Sequence, residues 1–439
     1  MGDKQVMQLK ASEYNYIYDD LGKDNVIMYN SRTGALSIIQ ELQYEQFKNF
    51  LKSGDEITDK EFLEKLLQCG YVLPIEVDEK FLLKTTLMRE RYDSRQFFVT
   101  IAPTMACNFR CIYCFEQGRY GHKYMDSKTI SNVIKFIEKR MENAESLHIS
   151  WFGGEPLLAM PVIEEISESV IAYCNAKNKK FDASIVTNGY FYTKEIAEKL
   201  KQLRVNKVQI TIDGSRDIHN SRRPLINGGC TYDVIMENLV ATKGIIPINI
   251  RINVDADCVD AADDVITFLK NNSLLEHVIP YLGFVLPYGN YYQKEKCFST
   301  EEYSNLNLKF WQENNIPLQS MYPAPRGHYC IADFCNGWVI DDIGNMYKCW
   351  NEIGIPERSV GNVNNQIQFL ESTCVVKEFL DFDPIENEEC KYCKVLPICM
   401  GGCSHNRLNG LEKCEQRRYN IKEYIVECTK SILNEGYKK

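Results

Sequence analysis

The sequence lacks the marks of a membrane-spanning, secreted or disulfide-stabilised protein. None of its apolar runs reaches the roughly 18 residues that a membrane helix needs, and its start, MGDKQVMQLK, has no apolar signal-peptide core. Cysteine makes up 18 of the 439 residues, well below the roughly 8–10% of a disulfide scaffold. We therefore expect a cytoplasmic protein with no membrane partner, in which thiols stay reduced.

An excess of positive charge is also missing. The formal net charge is -9, and residues 1–90 hold 11 Lys and Arg against 16 Asp and Glu. Proteins that bind nucleic acid present basic surfaces to the phosphates. The charge balance therefore argues against a nucleic-acid partner and favours a protein or peptide partner for the N-terminal region.

The order of predicted elements divides the chain into three regions. Residues 1–92 carry three short strands followed by two helical patterns, which predicts a small winged-helix-like domain. The strands are Tyr14–Tyr18, Val26–Tyr29 and Ala35–Ile39, and the helices are Leu42–Leu51 and a segment from Thr58 or Asp59 to Leu67. Residues 311–439 form a third, cysteine-rich region in which regular patterning stops.

Residues 93–310 alternate regularly between strand and helix. Six β-rich runs are Phe97–Ile101, Leu147–Trp151, Ala183–Thr187, Lys207–Ile212, Ile248–Val254 and Val278–Val285. Amphipathic helices between them include Thr129–Met141, Ile163–Asn175 and Glu195–Leu203. This α/β pattern predicts a parallel sheet curved into a partial (β/α)6 TIM-like barrel, with the chemistry at the carboxyl ends of the strands.

A cluster of three cysteines directly follows the first of these strands. Cys107, Cys111 and Cys114 have the spacing C-x3-C-x2-C, with Tyr113 before the third cysteine. Three thiolates suit three irons of a [4Fe-4S] cubane and leave one iron open to another ligand. A zinc site is the alternative, but structural zinc takes four ligands and no fourth lies nearby in the sequence.

This loop resembles the cluster-binding signature of radical S-adenosylmethionine (SAM) enzymes, and later strand ends agree with that family. Gly153-Gly154-Glu155-Pro156 is similar to the motif by which the family contacts the methionine amino group of SAM. The resemblance implies SAM-binding roles for Tyr113, Gly153, Gly154, Glu155, Pro156, Thr187, Asn188, Thr211, Asp213, Arg251 and Asn253. Polar strand ends and turns are the alternative interpretation of the last six.

The C-terminal cysteines resemble a SPASM extension, which holds two auxiliary [4Fe-4S] clusters. The resemblance implies one ligand set of Cys330, Cys335, Cys349 and Cys403, and another of Cys390, Cys393, Cys399 and Cys414. Eight thiolates suffice for two cubanes, but a paired zinc ribbon would need the same number. Cys428 is an alternative to Cys414. With the barrel cluster, the expected cofactors are SAM and three [4Fe-4S] clusters.

The resemblance implies that an external one-electron reductant such as flavodoxin or ferredoxin drives SAM cleavage to a 5'-deoxyadenosyl radical. The N-terminal region is similar in element order to domains that bind the leader of a ribosomally synthesised peptide. We therefore expect a maturase that forms a cysteine thioether in a precursor peptide; the sequence identifies no catalytic base. Carbon–carbon crosslinking or epimerisation of the peptide, sulfatase maturation, and a non-enzymatic electron carrier are the alternatives. Sulfatase maturases place an aspartate where Trp350 follows Cys349 here.

Overall fold

The computed structural model describes residues 8–19, 25–119, 121, 123–287, 292–314, 316, 321–365, 370 and 373–436. The chain divides into two compact units. We call Met1–Arg91, Thr300–Tyr329 and Phe382–Lys439 the terminal unit, and Tyr92–Ser299 with Cys330–Asp381 the barrel unit. Among the described helices, none combines the length and the apolar composition needed to cross a bilayer.

The terminal unit begins with the three strands and two helices that the sequence predicts, together with further short strands and one more helix. Its elements are β1 (Leu9–Ala11), β2 (Asn15–Tyr18), β3 (Asn25–Asn30), β4 (Ala35–Gln40), α1 (Glu41–Ser53), α2 (Lys60–Gln68), β5 (Val72–Pro74) and α3 (Glu79–Arg91). Strands β2, β3 and β4 form an antiparallel sheet in that order. Asp59 caps α2 by accepting a hydrogen bond from the Phe62 amide. The winged-helix interpretation of this segment stays a prediction.

The barrel unit contains the six predicted parallel strands and the helices between them. The strands are β6 (Gln96–Ile101), β7 (Ser146–Trp151), β8 (Lys180–Thr187), β9 (Val205–Thr211), β10 (Ile248–Val254) and β11 (Val278–Phe284). The helices are α4 (Ser127–Met141), α5 (Met160–Ala176), α6 (Lys194–Gln202), α7 (Arg216–Arg222), α8 (Tyr232–Ala241) and α9 (Ala261–Asn271). The expected α/β partial barrel is therefore confirmed.

The sheet of the barrel unit continues beyond the six predicted strands. Strands β12 (Gly337–Ile340), β13 (Asn345–Tyr347) and β14 (Gly361–Asn362) extend it to nine, in the order β11-β10-β9-β8-β7-β6-β12-β13-β14. β12 runs parallel to β6, with Gly337 opposite Phe98. A Cβ at Gly337 would lie 2.4 Å from the Ile331 carbonyl oxygen, so only glycine fits there.

The predicted C-terminal region, residues 311–439, is shared between the two units. The remaining helices are α10 (Thr300–Asn314), α12 (Leu396–Cys399), α13 (Ser404–Leu408) and α14 (Ile421–Gly436) in the terminal unit, and α11 (Cys374–Leu380) in the barrel unit. In the terminal unit, Ile27 and Tyr29 of β3 pack with Val395, Ile398 and Ile425 in one apolar cluster. Chain segments far apart in sequence therefore share one core.

Candidate functional site

A cavity of about 230 Å³ in the barrel unit brings the three cysteines of the C-x3-C-x2-C loop together. The side chains of Cys107, Cys111 and Cys114 all line it. Backbone bonds hold their loop: the amides of Arg110 and Ile112 donate to the carbonyls of Pro224 (2.9 Å) and Arg222 (3.0 Å). Burial raises the pKa values of the Cys107 and Cys111 thiols. A group with net positive charge at this position would hold them as thiolates.

The glycine pair at the end of β7 lets the backbone approach this loop closely. Gly153 has a φ of +102°, and a Cβ at Gly154 would lie 2.2 Å from the Ala106 carbonyl oxygen. The amide of Glu155 donates to the same oxygen at 2.8 Å. Any side chain at residue 154 would push the cysteine loop away, so glycine is required for this close approach.

Eight of the eleven predicted SAM-contacting residues line the cavity, and three do not. Those that line it are Tyr113, Gly153, Gly154, Thr187, Asn188, Thr211, Arg251 and Asn253. Glu155, Pro156 and Asp213 are buried but are not among the lining residues. The roles of all eleven in cofactor binding stay predictions.

The Glu155 carboxylate is held by donors from the next strand end. It accepts hydrogen bonds from Thr187 Oγ1 (2.7 Å), the Asn188 amide (2.7 Å) and the Leu157 amide (3.0 Å). Burial raises the pKa of Glu155 to about 6, although these bonds favour its charged form. Through Thr187 and Asn188, the carboxylate is coupled to two residues that line the cavity.

A buried network of charged groups surrounds Tyr113. Its hydroxyl donates to Asp213 Oδ2 (2.5 Å) and accepts from Arg223 Nη1 and Asn253 Nδ2 (both 2.9 Å). Arg222 pairs with Asp213 at 3.0 Å and with Asp255 at 2.5 Å. Removing one member of a buried ion pair typically costs about 3–5 kcal/mol. Asp213 therefore stabilises this network through its contacts with Tyr113 and Arg222.

Arg223 lines the cavity but was not among the residues predicted from the sequence. It is 7% exposed, and its Nε has no hydrogen-bond partner in the described part of the chain. Glu116 also lines the cavity, and its Oε1 is likewise buried without such a partner. Buried polar atoms without partners, on residues that line a cavity, indicate a polar ligand. Together with three thiols, they fit a charged cofactor bound to an iron–sulfur cluster.

Three aromatic rings stack beside the cavity. Phe115 lies against Phe152 with ring centroids 6.2 Å apart, and Phe152 lies against Trp350 at 5.3 Å. The planes are tilted by 21° and 20°. Phe115 and Phe152 line the cavity, while Trp350 is 42% exposed. The signal for this stack was present in the sequence, since each ring adjoins a recognised motif.

Three cysteines of the first predicted auxiliary set lie in the barrel unit. Cys330 and Cys349 pack in one apolar cluster with Phe379. Cys335 lies next to the buried Lys348, whose ammonium donates to the carbonyl oxygens on either side of the Cys335-Asn336 pair. The fourth predicted ligand, Cys403, belongs to the terminal unit. The assignment of this ligand set stays a prediction.

All four cysteines of the second predicted set line one narrow cavity of about 20 Å³ in the terminal unit: Cys390, Cys393, Cys399 and Cys414. A Cβ at Gly402 would lie 1.8 Å from the Lys413 carbonyl oxygen, so glycine allows the loop before Cys414 to approach. Arg418 donates to Cys414 Sγ at 3.1 Å.

Cys428, the alternative to Cys414, is fully buried in α14 and is not among the residues that line this cavity. The geometry therefore favours Cys414 as the fourth ligand.

In the described residues, no three His, Cys, Asp or Glu side chains converge as the ligands of one metal ion.

Part of the barrel unit matches a known protein family, and the chain is similar to several curated proteins. Residues 101–254 match the family described as the Radical SAM superfamily. Among curated proteins, the chain is 25% identical over 348 residues to the radical SAM cyclopropyl synthase TigE of Paramaledivibacter caminithermalis, covering 70% of this chain and 66% of that protein. It is 24% identical over 323 residues to the cysteine-type anaerobic sulfatase-maturating enzyme of Clostridium novyi, covering 69% and 86%.

Two solved structures share the fold at lower sequence identity. The protein anSMEcpe with bound AdoMet and the peptide Cp18Cys has a TM-score of 0.62 and 21% identity, covering 78% of this chain and 99% of that one. SuiB of Streptococcus suis bound to the precursor peptide SuiA has a TM-score of 0.53 and 15% identity, covering 91% and 97%. At these identities the likeness establishes the fold alone.

Proposed function

We propose that the chain is a radical SAM enzyme of the SPASM maturase type that forms a thioether between a cysteine sulfur and a carbon of another residue in a ribosomally synthesised peptide. The observation that carries this proposal is the cavity shared by Cys107, Cys111 and Cys114. When bound, the cluster and SAM supply one-electron chemistry that removes a hydrogen atom from an unactivated C–H bond.

The chain's own residues bind and orient the reactants and exclude water. The eight predicted SAM-contacting residues that line the cavity hold the cofactor, and Arg223 offers an unpaired guanidinium nitrogen to an anionic group. Phe115 and Phe152 form an apolar part of the wall. Such a wall limits access of water and small reductants to a reactive carbon radical.

Thioether formation removes two hydrogens from the peptide, one as an atom and one as a proton plus an electron. The electron needs an acceptor, and two auxiliary [4Fe-4S] clusters in the two C-terminal cysteine sets would provide one. The cavity lined by Cys390, Cys393, Cys399 and Cys414 supports this role. An external flavodoxin or ferredoxin would supply the electron that starts the cycle.

We propose that Glu155 interacts with the ammonium group of SAM, which predicts a pH dependence of binding. The Glu155 pKa, raised to about 6 by burial, means that the carboxylate loses its charge below that pH. The ammonium group stays charged there. Affinity for SAM, measured by anaerobic calorimetry, should therefore fall by up to about tenfold per pH unit below 6. The Glu155→Gln variant should bind SAM more weakly and without this pH dependence; a wild-type pH profile in that variant would contradict the assignment.

The N-terminal segment is the proposed binding site for the peptide leader. Its three-stranded sheet has β2 and β4 as outer strands, and an extended peptide can add to such an edge through backbone hydrogen bonds. The net negative charge of residues 1–90 also favours a peptide over nucleic acid.

The proposal predicts a specific mass change in a cysteine-containing peptide encoded beside this gene. Reconstituted enzyme, reductant and SAM should lower the peptide mass by two hydrogens per crosslink under anaerobic conditions, with an equal loss of alkylatable thiols. Mass spectrometry with and without alkylation measures both quantities. A mass loss with thiols retained would indicate a carbon–carbon crosslink instead. A peptide whose mass is unchanged in ordinary water but that takes up deuterium in deuterated water would indicate epimerisation.

Sulfatase maturation is the second candidate, favoured by the likeness to the sulfatase-maturating enzyme of C. novyi. Trp350 argues against it, because its ring stacks on Phe152 at the position where those relatives carry an aspartate. A sulfatase-derived peptide serves as the test substrate. Conversion of its target cysteine to an aldehyde, with no change in the precursor peptide, would replace our proposal with this one.

A further inference from the structure

Lys348 is a buried lysine to which no motif assigns a role. It lies between β13 and Cys349 and is 0% exposed. Its Nζ donates to the carbonyl oxygens of Phe334 and Gly337, both at 2.7 Å. These carbonyls flank the Cys335-Asn336 pair, so the ammonium lies beside the backbone of Cys335.

Within the part of the chain that the structure describes, the ammonium of Lys348 donates its hydrogen bonds to neutral carbonyl oxygens and not to a carboxylate. A second cation contacts the same aromatic ring as Lys348. Lys348 Nζ lies 4.6 Å from the centre of the Trp338 ring, and the Arg140 guanidinium carbon lies 5.5 Å from the centre of that ring. A buried ammonium that faces no anion is destabilising, so an anion beside it would stabilise this arrangement.

The neighbouring cysteines can supply that anion. Burial lowers the pKa of Lys348 to about 8, and Cys335 and Cys330 are the leading groups that oppose this lowering and favour the charged form, ahead of Asp333. Neutral thiols carry no charge to balance the ammonium. Bound to iron they are thiolates, and a [4Fe-4S] cluster with such ligands is an anion in both of its oxidation states.

We propose that Lys348 is a positioning residue that tunes the auxiliary cluster held by Cys330, Cys335 and Cys349. Reduction adds one electron, and so one negative charge, to this cluster and changes no covalent bond. A fixed ammonium beside it stabilises the reduced state and raises the reduction potential. The cluster therefore accepts an electron from the substrate radical more readily. This inference rests on the auxiliary cluster of the proposed function.

A redox titration of three variants tests the inference. Lys348→Gln keeps side-chain N–H groups for the two carbonyls but has no charge, whereas Lys348→Arg keeps the charge. The matched control is Lys179→Met, since Lys179 Nζ also donates to backbone carbonyls, among them Ala144 (2.5 Å) and Glu142 (3.2 Å), in the same unit. The signal is the electron paramagnetic resonance of the reduced auxiliary clusters, recorded in a chain whose Cys107, Cys111 and Cys114 are replaced by alanine.

At the wild-type midpoint potential, Lys348→Gln should lower the ratio of reduced to oxidised cluster tenfold or more, which for one electron corresponds to about 59 mV. Lys348→Arg and Lys179→Met should stay close to the wild type. A glutamine variant that titrates like Lys179→Met would overturn the inference. Lys348→Gln could also fail to bind the cluster. In that case, an auxiliary cluster that keeps its iron in Lys348→Arg would support the requirement for a positive charge, whereas loss of this iron in both variants would contradict it.

A second measurement separates this inference from the proposed function. The Cys335→Ala, Cys349→Ala variant should lose about four irons per chain and one resonance signal. If it loses neither, the assignment of these cysteines to an auxiliary cluster is wrong, and the proposed function is contradicted at that step. If it loses both while Lys348→Gln leaves the potential unchanged, only the role of Lys348 is refuted.

Discussion

Replacing Cys107, Cys111 and Cys114 with alanine should reduce SAM cleavage at least about 10³-fold, equivalent to more than about 4 kcal/mol in activation free energy. The three thiols are the candidate ligands in the barrel cavity, and without them no cluster can deliver the electron. Iron content should also fall by about four atoms per chain. Chromatography of methionine and 5'-deoxyadenosine after anaerobic reduction measures the cleavage.

The matched control for this prediction is Cys174→Ala. Cys174 is fully buried in α5 and lies outside the cavity. Its replacement removes a thiol from the same unit and should leave both iron content and cleavage near wild-type values. Cleavage that survives in the triple variant would refute the cluster assignment and, with it, the proposed reaction.

Replacing Cys390 and Cys393 with alanine should separate SAM cleavage from product formation. Both cysteines line the small cavity of the terminal unit, remote in sequence from the barrel motifs. Cleavage should fall by no more than about tenfold, or about 1.4 kcal/mol, because the barrel cavity is unchanged. The crosslinked peptide should be undetectable, since the substrate electron has no route out. Parallel assays of 5'-deoxyadenosine and of peptide mass give the two rates.

Cys428→Ala is the control for this second prediction. Cys428 is buried in the same unit but is not among the residues that line the cavity. It should retain product formation, whereas Cys414→Ala should lose it. If the variant with both Cys390→Ala and Cys393→Ala still makes product, this site does not take part in electron transfer. Loss of product in Cys428→Ala, with normal folding, would instead make Cys428 the fourth ligand.

Helix α3 shows why periodicity alone missed one element of the terminal unit. It buries Glu79 and Arg91 and exposes Phe81 and Met88, so its sequence has no regular apolar stripe. Glu79 is buried because it accepts from Ser12 (2.7 Å) and pairs with Arg32 (2.8 Å). These contacts are remote in sequence, so the pattern of residues 79–91 contains no sign of them.

The sequence by itself determined the local elements and the chemistry they carry. Alternating apolar residues predicted strands such as β7, whose side chains are buried with period two. Thr193 caps α6, and the C-x3-C-x2-C spacing placed three thiols on one short loop. Each of these signals depends on residues close together in the chain. The carboxyl ends of parallel strands share one edge of a sheet, which brought most of the predicted SAM contacts to one cavity.

Only the tertiary structure decided which distant segments meet. It joined β12 to β6 in the sheet, placed Cys414 beside Cys390, and buried Lys348 beside the backbone of Cys335. Long-range packing of this kind depends on how complementary surfaces fit, not on the order of residues within any window. A buried charge such as that of Lys348 acquires its meaning only from the groups that the fold places around it.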